Sequence, residues 1–165
     1  MRSGFDPIDE SRKQWLSRGW TEAADGMTLV TSIMRAHQLL LARVDRTLKP
    51  FGLTFSRYEV LALLSFTKRG ALPMNKITKR LQVHATSTTN SVDRLEAASL
   101  AARRPHPADG RTTLVEITDE GRLLVAQATE ALNTAVFEQP GVEHTTVERL
   151  LVDLSALRAG IEELA

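Results

Sequence analysis

Six consecutive residues, Thr86-Ser87-Thr88-Thr89-Asn90-Ser91, carry hydroxyls or an amide and no charge. Such side chains are short hydrogen-bonding groups that reach base edges and phosphates without bulk or self-repulsion. They are mediocre helix formers, so a helix seldom carries six together for its own stability. A polar loop or a frayed first turn is the plainer reading of the run taken alone. Within it, Thr86, Ser87, Thr89 and Asn90 are the candidates for base edges and nearby phosphates, and Asn90 could hold an adenine edge with two hydrogen bonds. Cations lie on either side: Lys76 and Lys79 before, Arg94, Arg103 and Arg111 after. Lys76, Lys79 and Arg103 suit phosphates, or are solvated surface residues. Arg94 suits a phosphate too, or an ion pair with Asp109, since guanidinium and carboxylate match as a fork. Arg111 is a long cation of the kind that enters a narrow A·T-rich groove by charge.

The elements around these residues have an order of their own. MNKITKRLQ (74–82) places Ile77 and Leu81 one helical turn apart, and Val83-His84 breaks the pattern. ATSTTNSVDRLEAAS (85–99) follows, with Val92 and Leu95 spaced for burial. Arg103 to Pro107 reads as extended, Asp109-Gly110 as a hairpin turn, and Thr113, Val115 and Ile117 alternate as a returning strand. Thr118-Asp119-Glu120-Gly121 opens a new helix. Helix, turn, helix and a basic-tipped hairpin is the order of a winged helix-turn-helix, with Leu72 placed for its short first strand.

These residues also carry a family resemblance. The stretch TSTTNSVDRLEAASLAARRPHPADGRTTLVEITDEGR resembles the signature region of the MarR family of bacterial transcription regulators. The matching features are Asp93-Arg94-Leu95, Asp109-x-Arg111 and Ile117-Thr118-x-x-Gly121-Arg122, and GLTFSRYEVLALLSF matches the family's second helix. The likeness covers roughly residues 27 to 160. Ser99 stands where the family commonly has Gly ending the recognition helix. The resemblance implies a homodimer on a pseudo-palindromic operator in double-stranded DNA. It also implies a repressor released by a small aromatic or anionic effector, and it makes Arg111 a minor-groove arginine and Asp109 a brace of the wing. A winged helix used for protein contacts, without specific DNA binding, is the alternative.

The rest of the chain reads as support. Residues 1–25 form a polar arm with an extra helix starting at Asp6-Pro7. Trp15 and Trp20 pin that arm against the body or a partner subunit, or wall an effector pocket. Some MarR-like regulators with an added N-terminal helix, including urate binders, are similar in layout; Tyr58-Glu59 stands here where those have an aromatic-Asp pair. Residues 26–49 form one long helix with a wide apolar stripe, stopped by Pro50. Beside that stripe, His37 is a structural histidine or lines the same pocket, for which Tyr58 and Glu59 are further candidates. A helix over about 55–68, capped by Thr54, supplies core from Phe55, Tyr58, Val60, Leu61, Leu63, Leu64 and Phe66. A helix over about 119–138 presents Leu123, Ala126, Thr129, Leu132 and Val136. Gln139-Pro140-Gly141 breaks it, and a last helix over about 143–163 carries Val147, Leu150, Leu151, Leu154, Leu157 and Ile161. The expected fold is mainly α with a small β-wing. Residues 51–118 form the winged helix-turn-helix, and 26–50 with 119–165 form the helical dimerisation region.

Composition sets the outer limits. The chain has 165 residues, 42% hydrophobic and 25% charged, which is ordinary for a globular domain. It has no apolar run long enough for a bilayer and no signal-like h-region, so a cytoplasmic protein is expected, with no membrane partner. With no Cys, disulfides, thiolate metal sites and the family's cysteine-based peroxide sensing are excluded. His37, His84, His106 and His144 make no close metal-ligand pair, and no HExxH, GxSxG or phosphate loop is present. No catalytic role, metal or cofactor is therefore expected. The net charge of +1 hides an asymmetry: residues 76–111 hold 7 Lys/Arg against 3 Asp/Glu, and residues 112–165 hold 3 against 10. Phosphate neutralisation needs a local basic face of this kind, not a basic protein.

Overall fold

A computed structural model describes residues 4–107 and 109–163, the side chains of residues 109–111 excepted. The chain divides between Arg46 and Thr47 into two compact units.

The first unit opens with α1 (Pro7–Ser17), started as the Asp6-Pro7 pair predicts. The Asp6 carboxylate accepts the Ile8 N–H at 2.9 Å, and Pro7 needs no hydrogen-bond partner in the first turn. After Gly19 the chain enters α2 (Thr21–Leu48), which starts five residues before the expected 26 and runs across the division. Arg12 pairs with Asp25 at 2.8 Å, and Trp15 meets Trp20 edge-on with ring centroids 5.3 Å apart. The apolar residues Leu29, Val30, Met34, Leu39 and Leu40 of α2 are exposed.

The second unit is built around α3 (Phe55–Ser65), which packs against α4 (Met74–Leu81), α5 (Ala85–Ala97), α6 (Asp119–Leu132) and strand β3 (Asp109–Ile117). Neighbours on several sides explain why Tyr58, Val60, Leu61, Ala62 and Leu64 are all buried and why the helix carries little polar surface. It ends at Ser65, three residues short of the expected 68. Phe66 is then left at the C-cap and 81% exposed, so it leaves the core it was expected to join. Strand β1 (Ala71–Pro73) contains Leu72 as expected, and with β2 (Ala101–His106) it completes an antiparallel sheet of order β1-β3-β2. Leu72 and Arg103 both pair with Val115, whose side chain is fully buried.

The wing differs in one detail. His106 pairs with Asp109, so the reversal comes before Asp109-Gly110 and not at it. Pro105 has no N–H to give the ladder, and the register shifts between Pro105 and His106. Beyond the wing, Thr118 caps α6, its hydroxyl accepting the Gly121 N–H at 3.0 Å. The buried face of α6 is Gly121, Val125, Ala128 and Leu132, continued by Val136 in a π-helical turn (Asn133–Phe137). Leu123 of the expected stripe is 65% exposed, because the helix offers two apolar rows and the one through Val125 is buried. Helix α7 (His144–Glu163) buries none of its residues, and Leu150, Leu151, Leu154 and Ile161 are exposed. Among the described residues no helix is long and apolar enough to cross a membrane.

Candidate nucleic-acid interface

Helix α5 sorts its small polar residues by side. Thr88, Ser91, Val92 and Leu95 are buried, at the spacing of one helical face. Thr86, Ser87, Thr89 and Asn90 are exposed. The run is thus two sets. Thr88 belongs to the packing: Thr78 Oγ1 of α4 donates to Thr88 Oγ1 at 3.0 Å, tying the two helices together in their interior. The spacing of Thr88 four residues before Val92 is the signal that separates it from the exposed set, and composition alone does not show it. Between the helices, Gln82 ends α4 with a φ of 52° and Val83 follows in the turn. Lys76 and Lys79 are exposed on α4.

The far end of α5 is fixed by a Schellman arrangement. The Leu100 N–H donates to the Leu95 carbonyl at 2.9 Å and the Ser99 N–H to the Glu96 carbonyl at 2.9 Å. Ser99 adopts a φ of 60°, the left-handed backbone that glycine accepts most readily. Gly121 lies close beneath, where an added Cβ would collide with the Leu100 carbonyl oxygen and with Ile117. That close approach explains the glycine three residues after Thr118.

Arg103 takes a different place from the one expected. Its guanidinium pairs with Asp93 at 2.6 Å and also with Glu96, while its backbone N–H donates to Glu96 Oε1 at 2.8 Å. Burial pulls its pKa down, but the hydrogen bonds and charges of Asp93 and Glu96 outweigh this and hold it above its ordinary value. A cation with two carboxylates already on it is poorly placed to take a phosphate. It joins β2 of the wing to α5. The bracing expected from Arg94 and Asp109 is therefore supplied at least here, by Arg103 with Asp93 and Glu96. The Asp109 and Arg111 side chains lie outside the described residues. Arg94 is exposed and lines an open cleft between α3 and α5.

The effector candidates fall into separate places. In the first unit, Trp15 is half-buried against Trp20, Trp20 is half-exposed under the Arg18 guanidinium at 5.7 Å, and His37 is exposed. In the second unit, Tyr58 is buried and its hydroxyl lies 3.1 Å from Thr129 Oγ1, which itself donates to the Val125 carbonyl at 2.7 Å. With that proton used, Tyr58 is the donor, and it links α3 to α6. Glu59 is half-buried, and desolvation raises its pKa from the ordinary 4.5.

The comparisons with known proteins agree with this geometry. A family model described as MarR family matches residues 51–112. The HTH-type transcriptional regulator PapX of Escherichia coli is 34% identical over 53% of this chain, and the matched stretch spans 54% of PapX, about half its length. The regulator CouR of Rhodococcus jostii RHA1, solved with p-coumaroyl-CoA, superposes at a TM-score of 0.67 with 25% identity, over 78% of this chain and 90% of CouR. A MarR family transcriptional regulator of Streptomyces coelicolor superposes at a TM-score of 0.76 with 47% identity, over 84% of this chain and 96% of its own. An identity of 47% over 96% of that relative's chain places this chain in the MarR family of transcriptional regulators.

Proposed function

We propose that the protein is a homodimeric, sequence-specific DNA-binding regulator that lays α5 into the major groove of a pseudo-palindromic operator and represses transcription until a small ligand releases it. The observation that carries this reading is the sorting of α5. Thr88, Val92 and Leu95 of its buried row are used within the fold, and Thr86, Ser87, Thr89 and Asn90 are left exposed together with nothing in the fold to explain them. Asn90 is assigned to a base edge, the three hydroxyls to base edges and adjacent phosphates, Lys76 and Lys79 to phosphates, and Arg111 to the flanking minor groove. Arg103 is assigned to holding the wing against α5.

A second copy of the chain is the natural cover for the exposed apolar residues of α2 and α7. Two-fold symmetry would also present two α5 helices to successive major grooves. The ligand is read as a small aromatic or anionic molecule, by analogy with the CouR complex. It would have to bind the non-DNA form better in order to shift the population. Trp15, Trp20 and His37 in the first unit, or Tyr58 and Glu59 in the second, remain the candidate contacts. A cytoplasmic location and the lack of a catalytic role follow from the same reading.

The test is fluorescence anisotropy against duplex DNA from upstream of the protein's own gene, at two salt concentrations and with random duplex as competitor. Binding that survives competitor, and an Asn90→Ala variant that loses affinity for the specific duplex but little for random duplex, would support the reading. Failure to bind duplex DNA of any sequence at low salt would overturn it and favour a protein-contact module.

A further inference from the structure

Of the residues that line the cleft beside Arg94, the reading above uses Asn90 alone. The cleft is lined by Thr54, Ser56 and Arg57 from the start of α3 and by Asn90, Ser91 and Arg94 from α5, and measures about 440 Å³. Two guanidinium groups and no carboxylate line it. Thr54 stands at the N-cap of α3 without capping it. Its hydroxyl accepts from Arg57 Nε at 3.2 Å and lies 3.2 Å from the Ser56 hydroxyl. The first turn of an 11-residue helix therefore has no side-chain cap on its positive end.

Ser91 supplies a separate observation. It is 8% exposed, and its hydroxyl has no hydrogen-bond partner among the described residues. No fully buried side-chain polar atom among them lacks a partner. The Ser91 hydroxyl is therefore not sealed in the core but opens onto the cleft it lines. A nine-tenths-buried donor, two guanidiniums and an uncapped helix start converge on one space, and what satisfies all of them is an oxyanion.

Resting on the proposed DNA-binding function, we infer that this cleft holds a phosphodiester of the DNA backbone. Arg57 and Arg94 take its non-bridging oxygens, and the first turn of α3 and the Ser91 hydroxyl complete the seat. Asn90 lines the cleft and belongs to the exposed reading row as well. A phosphate in the cleft therefore lies next to the base-reading edge, where a backbone strand flanks the groove that α5 enters. The contact extends the DNA interface to α3 and fixes register without reading sequence. A free oxyanion such as inorganic phosphate shares this chemistry and is the competing occupant.

Two variants test the inference. Ser56→Asp places a carboxylate in the cleft, at a first-turn position where a negative charge favours the helix. It should keep or raise the thermal midpoint yet weaken binding. Arg57→Gln removes one cation and should weaken binding about tenfold. The losses should be similar on upstream and random-sequence duplex, and for Arg57→Gln the slope of log K against log salt should fall by about 2, one phosphate contact from each protomer of the dimer. Anisotropy at low salt reads all of this, with circular dichroism confirming the fold. If the wild type binds and Asn90→Ala loses specificity while both cleft variants bind as the wild type does, the inference is overturned and the DNA reading stands. If 10 mM inorganic phosphate stabilises the wild type through the cleft while both variants keep full DNA affinity, the site is for a free anion and the inference is again overturned. If the wild type binds no duplex at all, both fall together.

Discussion

Replacing Ser99 by glycine is expected to stabilise the fold, and the size of the gain can be worked from the backbone. Ser99 sits at φ 60° immediately after the C-cap of α5, exposed, with no side-chain hydrogen bond among the described residues. A residue with a Cβ in the left-handed region costs about 1–2 kcal/mol, and glycine is spared most of that. Glycine also gains freedom in the unfolded chain, which returns about 0.4–1 kcal/mol. The net gain is about 0.5–1 kcal/mol, or about 1–4 °C in thermal midpoint for a chain of this size. The assay is urea unfolding followed by circular dichroism at one fixed protomer concentration, because a dimer's stability depends on concentration. Ser99→Ala is the control: it keeps the Cβ and should lie within about 0.5 kcal/mol of the wild type. A glycine variant no more stable than the wild type would refute the argument that the left-handed turn is strained here.

Thr88→Val keeps the shape of a buried residue while deleting its bond with Thr78, so it should cost about 1 kcal/mol; unfolding midpoints indistinguishable from the wild type would remove that bond from the account. Gly121→Ala forces a methyl against the Leu100 carbonyl and should cost about 1–3 kcal/mol, checked by thermal melting, where an unchanged midpoint would show that the backbone gives way freely. Glu59 has its pKa raised by burial, so the folded state binds its proton more tightly than the unfolded chain does. Its stabilising share is present below pH 4.5 and is lost as pH rises through the higher folded value. Glu59→Gln should therefore be more stable than the wild type at pH 7, with a flatter dependence above pH 4.5; equal stability at both ends of that range would count against it.

Much of this was readable from residues because local signals agreed with one another. Asp6-Pro7, Thr118 and Gln139-Pro140-Gly141 marked helix ends through chemistry that acts within a few residues. The winged helix was legible for the same reason, with its helices, strands and turn following in fixed order. The ion pairs of Arg103 had no such signal. Its partners Asp93 and Glu96 are ten and seven residues away and are brought to it only when β2 folds back along α5, a juxtaposition that charge counting cannot reveal. Leu123 was misplaced because α6 carries two apolar rows, and only packing against α3 decides between them. Thr88 and Ser91 stood outside the candidate set of Thr86, Ser87, Thr89 and Asn90, and the structure buries both. The cleft behind Arg94 joins α3 to α5 across thirty-odd residues of chain and had no sequence signal.

The junction between α5 and α6 has a mechanical consequence. The Thr118 hydroxyl donates to the Ser99 carbonyl at 2.9 Å, the Thr118 N–H to the Leu100 carbonyl at 3.2 Å, and Gly121 lets the two backbones touch. These contacts leave no gap between the base of α5 and the start of α6, so a rotation of α6 that kept them would carry α5 with it, as a lever whose far end is Thr86. From Ala97 to Thr86 the lever is about 16 Å long at the rise of an α-helix. A tilt of about 5° at α6 therefore sweeps the tip by about 1.4 Å, more than the whole working range of a hydrogen bond. A tilt that small would displace the tip of α5 without unfolding a single turn.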